Sequence, residues 1–304
     1  MAEYKERNVV FGTTEFPLGG TLTVPEGAGR SPAVVFVHGS GPNDRDESVA
    51  MNRPFRDIAR GLAERGIASL RYDKRTLAHA ERVAAQISEL TVYGEVIEDA
   101  VLAKAFLAER DEVDAERIFL LGHSFGGMLA PRIDAEGGDF RGLVLLAGSP
   151  RRLAEIIRDQ NYAQLPTVEE ERREAVRKQI DALFEMFEAF AEAEDGDLKQ
   201  IDIGGASAYY MKELDSRRAE TYLAASGKPV FALQGEADFQ VYADRDFAEY
   251  QRILGSRANA TLKLYPGLNH LFMPGVNGDV TDYEIPGSVD AGVISDIADW
   301  ILAN

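Results

Sequence analysis

A serine lies between closely spaced glycines in the stretch GHSFG, residues 122–126. An apolar run at residues 118–121 precedes it, and a segment that can begin a helix follows it. A serine at such a strand-to-helix turn is exposed for nucleophilic attack, and the glycines let the neighbouring backbone approach closely. Because a serine hydroxyl is a weak nucleophile, Ser124 also needs a histidine base and a carboxylate that orients this base.

The chain has four histidines that could supply the base. His38 ends a predicted strand, His79 lies in a polar loop before the serine, and the tight turn directs the side chain of His123 away from its neighbour. His270 remains, and it follows the last predicted strand, at the sheet end where open α/β folds bind ligands. We therefore predict that His270 is the base.

The carboxylate is expected directly after the predicted strand 229–234. Asp238 fits this position best, and Glu236 is the alternative, because a carboxylate of either length can orient an imidazole. Asp244 and Asp246 lie further along, in a predicted helix, where we expect both to face solvent. Asp238 could also cap that helix, and one residue can serve both purposes.

Attack on a carbonyl requires two N–H donors for the developing oxyanion. Phe125, directly after the serine, is predicted to supply the first. The second is expected from the glycine-containing stretch HGSGP at residues 38–42, where Ser40 is our choice and Gly41 the alternative. A plain glycine turn after a strand would look the same in the sequence.

Two clusters of charged residues follow predicted strands. NDRDE at residues 43–47 offers oxygen ligands, but its spacing matches no EF-hand pattern, and we favour a hydrogen-bonded loop beside the active site. RYDKR at residues 71–75 could bind a substrate carboxylate, and we favour a structural salt-bridge network. The sequence therefore predicts no metal site.

The elements that position these residues follow from recurring apolar runs, which are typical of a parallel sheet covered by helices. A hairpin is predicted over residues 8–24, with its turn at residues 18–20. Further strands are predicted at residues 33–37, 67–71, 117–121, 142–147, 229–234 and 261–265, and helices at residues 54–64 and 95–110.

No convincing strand is found between residues 149 and 228. Residues 169–194 instead repeat apolar side chains at steps of three and four, as in an amphipathic helix. We predict a helical lid at residues 151–225 and a core formed by residues 1–150 and 226–304, although an ordinary surface helix would show the same pattern. Tyr209, Tyr210 and Met211 are expected to form an acyl-binding wall or the interior of the lid. The predicted substrate contacts are Gly39, Gly41, His123, Tyr209 and Tyr210.

Composition restricts the class of protein. A chain of 304 residues with 45% apolar content can bury a large core, and the net charge of −18 disfavours nucleic-acid binding, because such proteins concentrate basic residues. This acidity suits solubility or a saline habitat. Cysteine is absent, which excludes a thiolate nucleophile, and the apolar runs are too short for a membrane span. With charged residues at its start, the chain is expected to be soluble and cytoplasmic.

Taken in order, HGSG at residues 38–41, GHSFG at 122–126, Asp238 and His270 resemble the α/β-hydrolase superfamily, over residues 8–302. HGSGPNDRDE at residues 38–47 and RYDKRT at residues 71–76 resemble bacterial serine esterases related to dienelactone hydrolases and to prolyl-oligopeptidase-type catalytic domains. The resemblance implies carboxylic-ester hydrolysis without a cofactor, often of short acyl chains. Some of these relatives carry an additional N-terminal domain, which is not found in the 304 residues.

We therefore predict an α/β-hydrolase fold, with a mostly parallel eight-stranded sheet, helices on both faces and an inserted helical lid. The expected function is hydrolysis of a small-molecule carboxylic ester with a short to medium acyl chain, through an acyl-enzyme. An aminopeptidase-like hydrolase, a thioesterase and an acyltransferase remain as alternatives, followed by a non-catalytic ligand-binding protein. No nucleic-acid or membrane partner is expected, and a homodimer is compatible with the sequence.

Overall fold

The computed structural model describes residues 2–27 and 29–304, which form one twisted sheet with helices on both of its faces. Over these residues the strands are β1 (Tyr4–Gly12), β2 (Pro17–Pro25), β3 (Ser31–Val37), β4 (Ala68–Tyr72), β5 (Val113–His123), β6 (Leu143–Leu146), β7 (Val230–Gly235) and β8 (Ala260–Tyr265). Their order in the sheet is β1-β2-β4-β3-β5-β6-β7-β8. β2 runs antiparallel to both of its neighbours, and all other pairs are parallel. The predicted eight-stranded, mostly parallel sheet is confirmed.

Helices cover the sheet because its central strands are apolar on both faces; every residue of β3 and β7 is buried. The helices are α1 (Pro54–Ala63), α2 (Arg75–Ala78), α3 (Ala80–Ala85), α4 (Glu98–Ala108), α5 (Phe125–Ile133), α6 (Leu153–Gln164), α7 (Glu170–Ala189), α8 (Asp195–Leu198), α9 (Ala208–Ser216), α10 (Ala219–Ala225), α11 (Ala248–Leu254) and α12 (Ala291–Ala303). One face packs against α1 and α12, and the other against α4, α5 and α11.

The predicted turn of the N-terminal hairpin is wrong. The chain reverses at residues 13–16, where Thr13 Oγ1 accepts a hydrogen bond of 3.0 Å from the N–H of Phe16. Gly19 and Gly20 instead lie within β2. A Cβ atom at Gly20 would lie 2.8 Å from the carbonyl oxygen of Arg71, so glycine permits the close approach of β2 to β4 at this point.

Residues 151–225, all of which the structure describes, contain helices α6–α10 and no strand. The predicted amphipathic helix is α7; Ile180 is buried on its inner face. Arg132 of α5, which is fully buried, contacts Glu213 of α9 with a hydrogen bond of 3.3 Å. Tyr222 donates a hydrogen bond of 2.7 Å to Glu136, so the helical segment is attached to the core through buried and half-buried ionic groups.

Within the described residues, the helices are either too short or too polar to cross a lipid bilayer.

Candidate active site

Ser124 lies at the junction between β5 and α5, in a backbone conformation that is unfavourable for a residue with a side chain. Its φ and ψ angles are 53° and −116°. The conformation is held by neighbouring structure, because the Ser124 N–H donates a hydrogen bond of 2.8 Å to the carbonyl of Leu146 at the end of β6. Ser124 is half-buried and lines a cavity of about 1000 Å³.

The glycines on either side of Ser124 permit very close backbone contacts. A Cβ atom at Gly122 would lie 2.2 Å from the carbonyl oxygen of Gly126, and one at Gly126 would lie 2.2 Å from that of Val37. The first contact packs α5 onto the strand that precedes it, and the second packs α5 onto β3. The spacing of GHSFG is therefore explained by the crowding around the turn.

Gly122→Ala is expected to lower the free energy of unfolding by about 3 kcal/mol, at the upper end of the range for overpacking, because backbone atoms cannot move aside as a side chain can. The matched control is Gly196→Ala in α8, where a Cβ atom would have nothing within 4 Å. Urea unfolding followed by circular dichroism compares the two. Equal stability of both variants would contradict the proposed crowding.

His270 and Asp238 are in direct contact. His270 Nδ1 lies 2.7 Å from Asp238 Oδ2, and both side chains are buried. A carboxylate only accepts hydrogen bonds, so this contact places the proton on Nδ1 and leaves the Nε2 lone pair of His270 free. His270 also lines the cavity that Ser124 lines.

Other groups hold the Asp238 carboxylate in place. Its Oδ1 accepts hydrogen bonds from the N–H groups of Gln240 (2.8 Å) and Val241 (3.0 Å), and its Oδ2 accepts one of 2.7 Å from Gln234 Nε2. Glu236, the alternative from the sequence, is exposed. The structure therefore brings Asp238, and not Glu236, to His270.

The prediction that Asp246 faces solvent is wrong, whereas Asp244 is exposed as expected. Asp246 is buried and accepts hydrogen bonds from Ser149 Oγ (2.6 Å) and Arg151 Nη1 (3.2 Å). These contacts connect the turn before α11 to the start of the helical segment. Helical position alone could not show that a cation from a distant part of the chain covers this carboxylate.

Two of the remaining histidines have structural contacts away from the cavity. His38 packs against the rings of Phe55 and Tyr72, with centroids 5.2 Å away in each case, and burial lowers its pKa to about 4. His79 Nε2 lies 2.8 Å from the carbonyl oxygen of Pro17. These positions agree with the prediction that neither His38 nor His79 is the base.

His123 lines the cavity wall, but its two nitrogens face the protein. Nε2 donates a hydrogen bond of 2.9 Å to the carbonyl of His270, and Nδ1 lies 2.9 Å from Glu47 Oε2. The sequence predicted that His123 contacts substrate. Its ring does line the cavity, but both of its nitrogen atoms contact protein oxygens and do not face the cavity. Burial alone would lower the pKa of His123, but the Glu47 carboxylate raises it above its ordinary value. Despite burial, His123 and the N–H of Gly39 hold the pKa of Glu47 below its ordinary range.

The loop after β3 is held together by hydrogen bonds from one side chain. Asn43 Nδ2 donates to the carbonyls of Gly39 (3.3 Å), Ser40 (3.0 Å) and Gly41 (3.2 Å). Lys74 Nζ also donates to the Gly39 carbonyl, at 3.1 Å. Because a trans peptide directs its C=O and N–H to opposite sides, the N–H of Ser40 points away from Lys74.

This loop is adjacent to the serine. A Cβ atom at Gly39 would lie 3.3 Å from the Cβ atom of Ser124. Phe125 is the first residue of α5, and the first N–H groups of a helix have no partner within it. The structure thus brings together the two segments from which the sequence predicted N–H donors.

The two charged clusters form the predicted networks. In residues 43–47, Asp44 Oδ1 accepts from the N–H groups of Asp46 (3.1 Å) and Ser48 (2.9 Å). In residues 71–75, Lys74 Nζ lies 2.7 Å from Glu95 Oε1. Arg71 and Arg75 are likewise buried against carboxylates. No group of three or more potential ligands is arranged for a metal within residues 2–27 and 29–304.

The cavity has a volume of about 1000 Å³ and lies between the sheet edge and the helical segment. Its described lining contains three carboxylate residues, Glu47, Glu95 and Asp202, but no lysine or arginine. The lining is otherwise mainly apolar; the larger aliphatic, thioether and aromatic side chains are Val49, Val83, Ile87, Leu90, Phe125, Met128, Leu153, Ile156, Ile157, Phe187, Ile203, Tyr210, Met211, Val241, Leu271 and Tyr283.

The expected aromatic wall is only partly present. Tyr210 and Met211 line the cavity, and the Tyr210 hydroxyl donates a hydrogen bond to Glu95 Oε2. Tyr209 lies outside the lining, with the Lys199 ammonium 5.1 Å from the centroid of its ring, so its predicted substrate contact is corrected. Neighbouring residues of α9 necessarily point in different directions.

Known proteins share both sequence and fold with this chain. A family model described as "Alpha/beta hydrolase family" matches residues 34–280. The esterase EstD of Thermotoga maritima is 37% identical over 293 residues; the match covers 94% of this chain but only 65% of EstD. Est1E from Butyrivibrio proteoclasticus has a TM-score of 0.62 at 16% identity, and the alignment covers 98% of this chain and 99% of Est1E. A dienelactone hydrolase from Anabaena variabilis has a TM-score of 0.57 at 18% identity, with coverage of 99% and 98%.

The family model extends from β3 to the residues beyond His270, so it includes the serine turn and both candidate partners of Ser124. The fold similarity extends over nearly the whole chain. These findings agree with the fold and the family resemblance expected from the sequence. The chain belongs to the alpha/beta hydrolase family.

Proposed function

We propose that this protein is a serine carboxylesterase in which Ser124, His270 and Asp238 form a catalytic triad. The observation that carries the proposal is the buried contact of 2.7 Å between His270 Nδ1 and Asp238 Oδ2, beside a strained serine that lines the same cavity. The similarity to EstD, an esterase by its name, supports the same activity.

In the first half of the proposed reaction, Ser124 Oγ attacks the ester carbonyl while His270 Nε2 accepts the hydroxyl proton. The carbonyl oxygen becomes an oxyanion, which the N–H groups of Phe125 and Ser40 bind. The bond to the alcohol oxygen then breaks, and His270 returns its proton to this oxygen. The products are a free alcohol and an acyl group bonded to Ser124.

In the second half, a water molecule attacks the acyl-enzyme while His270 Nε2 accepts a proton from it. The bond to Ser124 Oγ breaks, and His270 returns the proton to that oxygen, which releases a carboxylic acid and restores the enzyme. Asp238 keeps the proton on Nδ1 throughout and stabilises the imidazolium that forms in each half.

Ser40 is favoured over Gly41 as the second oxyanion donor. The carbonyl of Gly39 is bound by Lys74 and Asn43, so the N–H of the same peptide, which belongs to Ser40, is directed to the opposite side. The contact of Gly39 with Ser124 places this peptide next to the nucleophile. The Gly39 N–H is already occupied by Glu47 Oε1 at 2.7 Å.

The cavity favours neutral, apolar acyl groups. Its volume of about 1000 Å³ accommodates short to medium acyl chains, and its described lining offers carboxylates without a lysine or arginine. Glu95 and Glu47 are paired with Lys74 and His123, so an anionic acyl group would meet its unfavourable charge at Asp202. We propose that residues 151–225 act as a lid over the core formed by residues 1–150 and 226–304, because seven of the sixteen larger apolar side chains in the cavity lining come from this segment.

An aminopeptidase-like activity is disfavoured by the state of the two buried carboxylates in the cavity. Binding of a substrate amine requires a carboxylate with free oxygens, but Glu95 contacts both Lys74 and Tyr210, and Glu47 contacts both Gly39 and His123. Asp202, which is exposed in the helical segment, is the lining carboxylate that keeps an oxygen for such an amine. A non-catalytic binding protein would have no use for a strained serine beside a buried His–Asp pair.

The substrate class is tested with p-nitrophenyl esters of increasing acyl length. Each neutral ester is paired with one of equal length that ends in a carboxylate, and aminoacyl p-nitroanilides and acyl thioesters are included. We expect kcat/KM to be at least about tenfold higher for the neutral member of each pair, since one unfavourable charge interaction of about 1.4 kcal/mol suffices. Faster cleavage of the anilides than of any ester would overturn the esterase proposal, and faster cleavage of thioesters would change the substrate class.

A further inference from the structure

Two buried side chains connect the loop after β3 to the segment that carries His270. Glu47 Oε1 accepts the Gly39 N–H at 2.7 Å, and Glu47 Oε2 lies 2.9 Å from His123 Nδ1. His123 Nε2 in turn donates to the backbone carbonyl of His270 at 2.9 Å. This series of contacts, the Glu47–His123 bridge, links the proposed oxyanion loop to the proposed base.

The bridge is shielded from solvent. Glu47 is 3% exposed and His123 is 5% exposed. The proposed acyl transfer uses neither side chain, and a buried carboxylate and imidazole are costly unless their charges are paired. A bridge with a purely structural role could be formed by neutral groups, so its charge calls for a different explanation.

The contacts favour a charged bridge. Both nitrogens of His123 face oxygen atoms, and only an imidazolium carries a proton on each. Nδ1 and Glu47 Oε2 lie 2.9 Å apart without a regular hydrogen bond between them, so charge rather than hydrogen bonding dominates this contact. Glu47 raises the pKa of His123, and His123 helps to lower that of Glu47, in agreement with an ion pair.

The positive end of this pair lies against the base. The ring centroids of His123 and His270 are 4.7 Å apart, whereas Glu47 contacts His123 at Nδ1, the nitrogen that does not face His270. A positive charge therefore lies on one side of the His270 ring, and the Asp238 carboxylate contacts its Nδ1 on the other. Tyr283, which also lines the cavity, stays neutral because burial raises its pKa.

Two other ionisable groups lie near the bridge. His38 stays neutral, since burial lowers its pKa to about 4. The charge of Lys74 is paired with Glu95, at 2.7 Å. His123 is therefore the cation in direct ring contact with His270 among the described residues.

We propose that the Glu47–His123 bridge positions the proposed oxyanion loop and the proposed base together, and that its charge extends esterase activity to lower pH. Glu47 fixes Gly39, and hence the peptide that carries the Ser40 N–H, while His123 fixes the backbone of His270. Glu47 and His123 are positioning residues in this account, which rests on the proposed esterase function.

Glu47→Gln separates the two effects, because glutamine can still accept the Gly39 N–H but carries no charge. Without Glu47, burial favours neutral His123, and the positive charge beside the proposed base is lost. We expect the acidic limb of the kcat/KM profile to move upward by about 0.5–1 pH unit, with kcat at the optimum within about tenfold of the wild-type value.

Glu47→Ala removes the charge and the Gly39 contact. We expect the same shift of the acidic limb and a decrease of kcat by about 10²-fold with KM nearly unchanged, because the oxyanion loop loses its position. His123→Gln, which retains an N–H for the His270 carbonyl, is expected to shift the limb as Glu47→Gln does. It provides the second measurement should Glu47→Ala fail to fold.

The matched control is Glu236→Gln, which removes an exposed carboxylate from the segment after β7 and should leave the profile unchanged. The inference would be overturned if the acidic limb of the kcat/KM profile does not move in Glu47→Gln and His123→Gln and if folded Glu47→Ala keeps the wild-type kcat. Ser124→Ala is assayed in parallel. If this variant is active, the proposed function is refuted. If it is inactive and the acidic limb does not move in the bridge variants, only the proposed role of the Glu47–His123 bridge is refuted.

Discussion

Ser124→Ala is expected to reduce kcat for p-nitrophenyl esters by about 10⁴–10⁶-fold, because the acyl-enzyme can no longer form. Substrate binding depends on the cavity walls, so KM, where measurable, should change little. Initial rates with a substrate matched to the cavity give the comparison, and circular dichroism shows whether the fold is retained.

A glycine variant provides an independent control at the same position. Ser124→Gly removes the hydroxyl and also relieves the strain at φ of 53°, so it should be as inactive as Ser124→Ala but more stable by about 1 kcal/mol. Inactivity with higher stability would show that the loss of rate does not come from unfolding. A wild-type rate in either variant would refute Ser124 as the nucleophile.

Asp238→Asn is expected to reduce kcat by about 10⁴-fold at neutral pH. An asparagine amide can donate to His270 Nδ1, which moves the imidazole proton to Nε2 and removes the lone pair that accepts the serine proton. The loss therefore arises from the wrong tautomer, in a site of nearly unchanged shape. Steady-state kinetics of the folded variant measure it.

Glu236→Gln is the matched control for the acid, because this carboxylate lies two residues away and is exposed. Its rate should equal that of the wild type. A larger loss in Glu236→Gln than in Asp238→Asn would transfer the orienting role to Glu236 and contradict the contact between Asp238 and His270.

The sequence was sufficient for the parallel strands of the sheet, and it favoured Asp238 as the partner of His270. Buried parallel strands are nearly continuous apolar runs, so β3, β5 and β7 were predicted to within a few residues of their observed bounds. Because parallel strands end at one edge, residues that follow β7 and β8 were expected to meet there, as Asp238 and His270 do.

Features that depend on contacts between distant segments were not predictable. Gly20 looked like a turn residue, but it is required by the approach of Arg71 from β4. Asp246 was predicted to be exposed, but Ser149 and Arg151 cover its carboxylate. Spacing along the chain determines which face of an element a residue occupies, and it does not determine what lies opposite.

Glu47 shows the same limit within the site. The sequence placed it in a hydrogen-bonded loop, which is correct, but no local pattern connects it to His123. The available signal was its place in the sequence, after the glycine-containing loop at residues 38–42 and before His123, the histidine next to the nucleophile. The shared sheet edge of these segments was expected from the parallel strands, but only the fold shows that the carboxylate is buried between them.

The central claim, that Ser124 is the acylated nucleophile, is tested most directly by covalent labelling with a fluorophosphonate followed by peptide mass spectrometry. The tryptic peptide of residues 118–132 contains Ser124 as its single hydroxyl-bearing residue, so the site of labelling is unambiguous. We predict one adduct per chain, on this peptide, at a rate that matches the loss of esterase activity. Complete inactivation with the adduct on another peptide, or continued ester turnover by fully labelled protein, would contradict the claim.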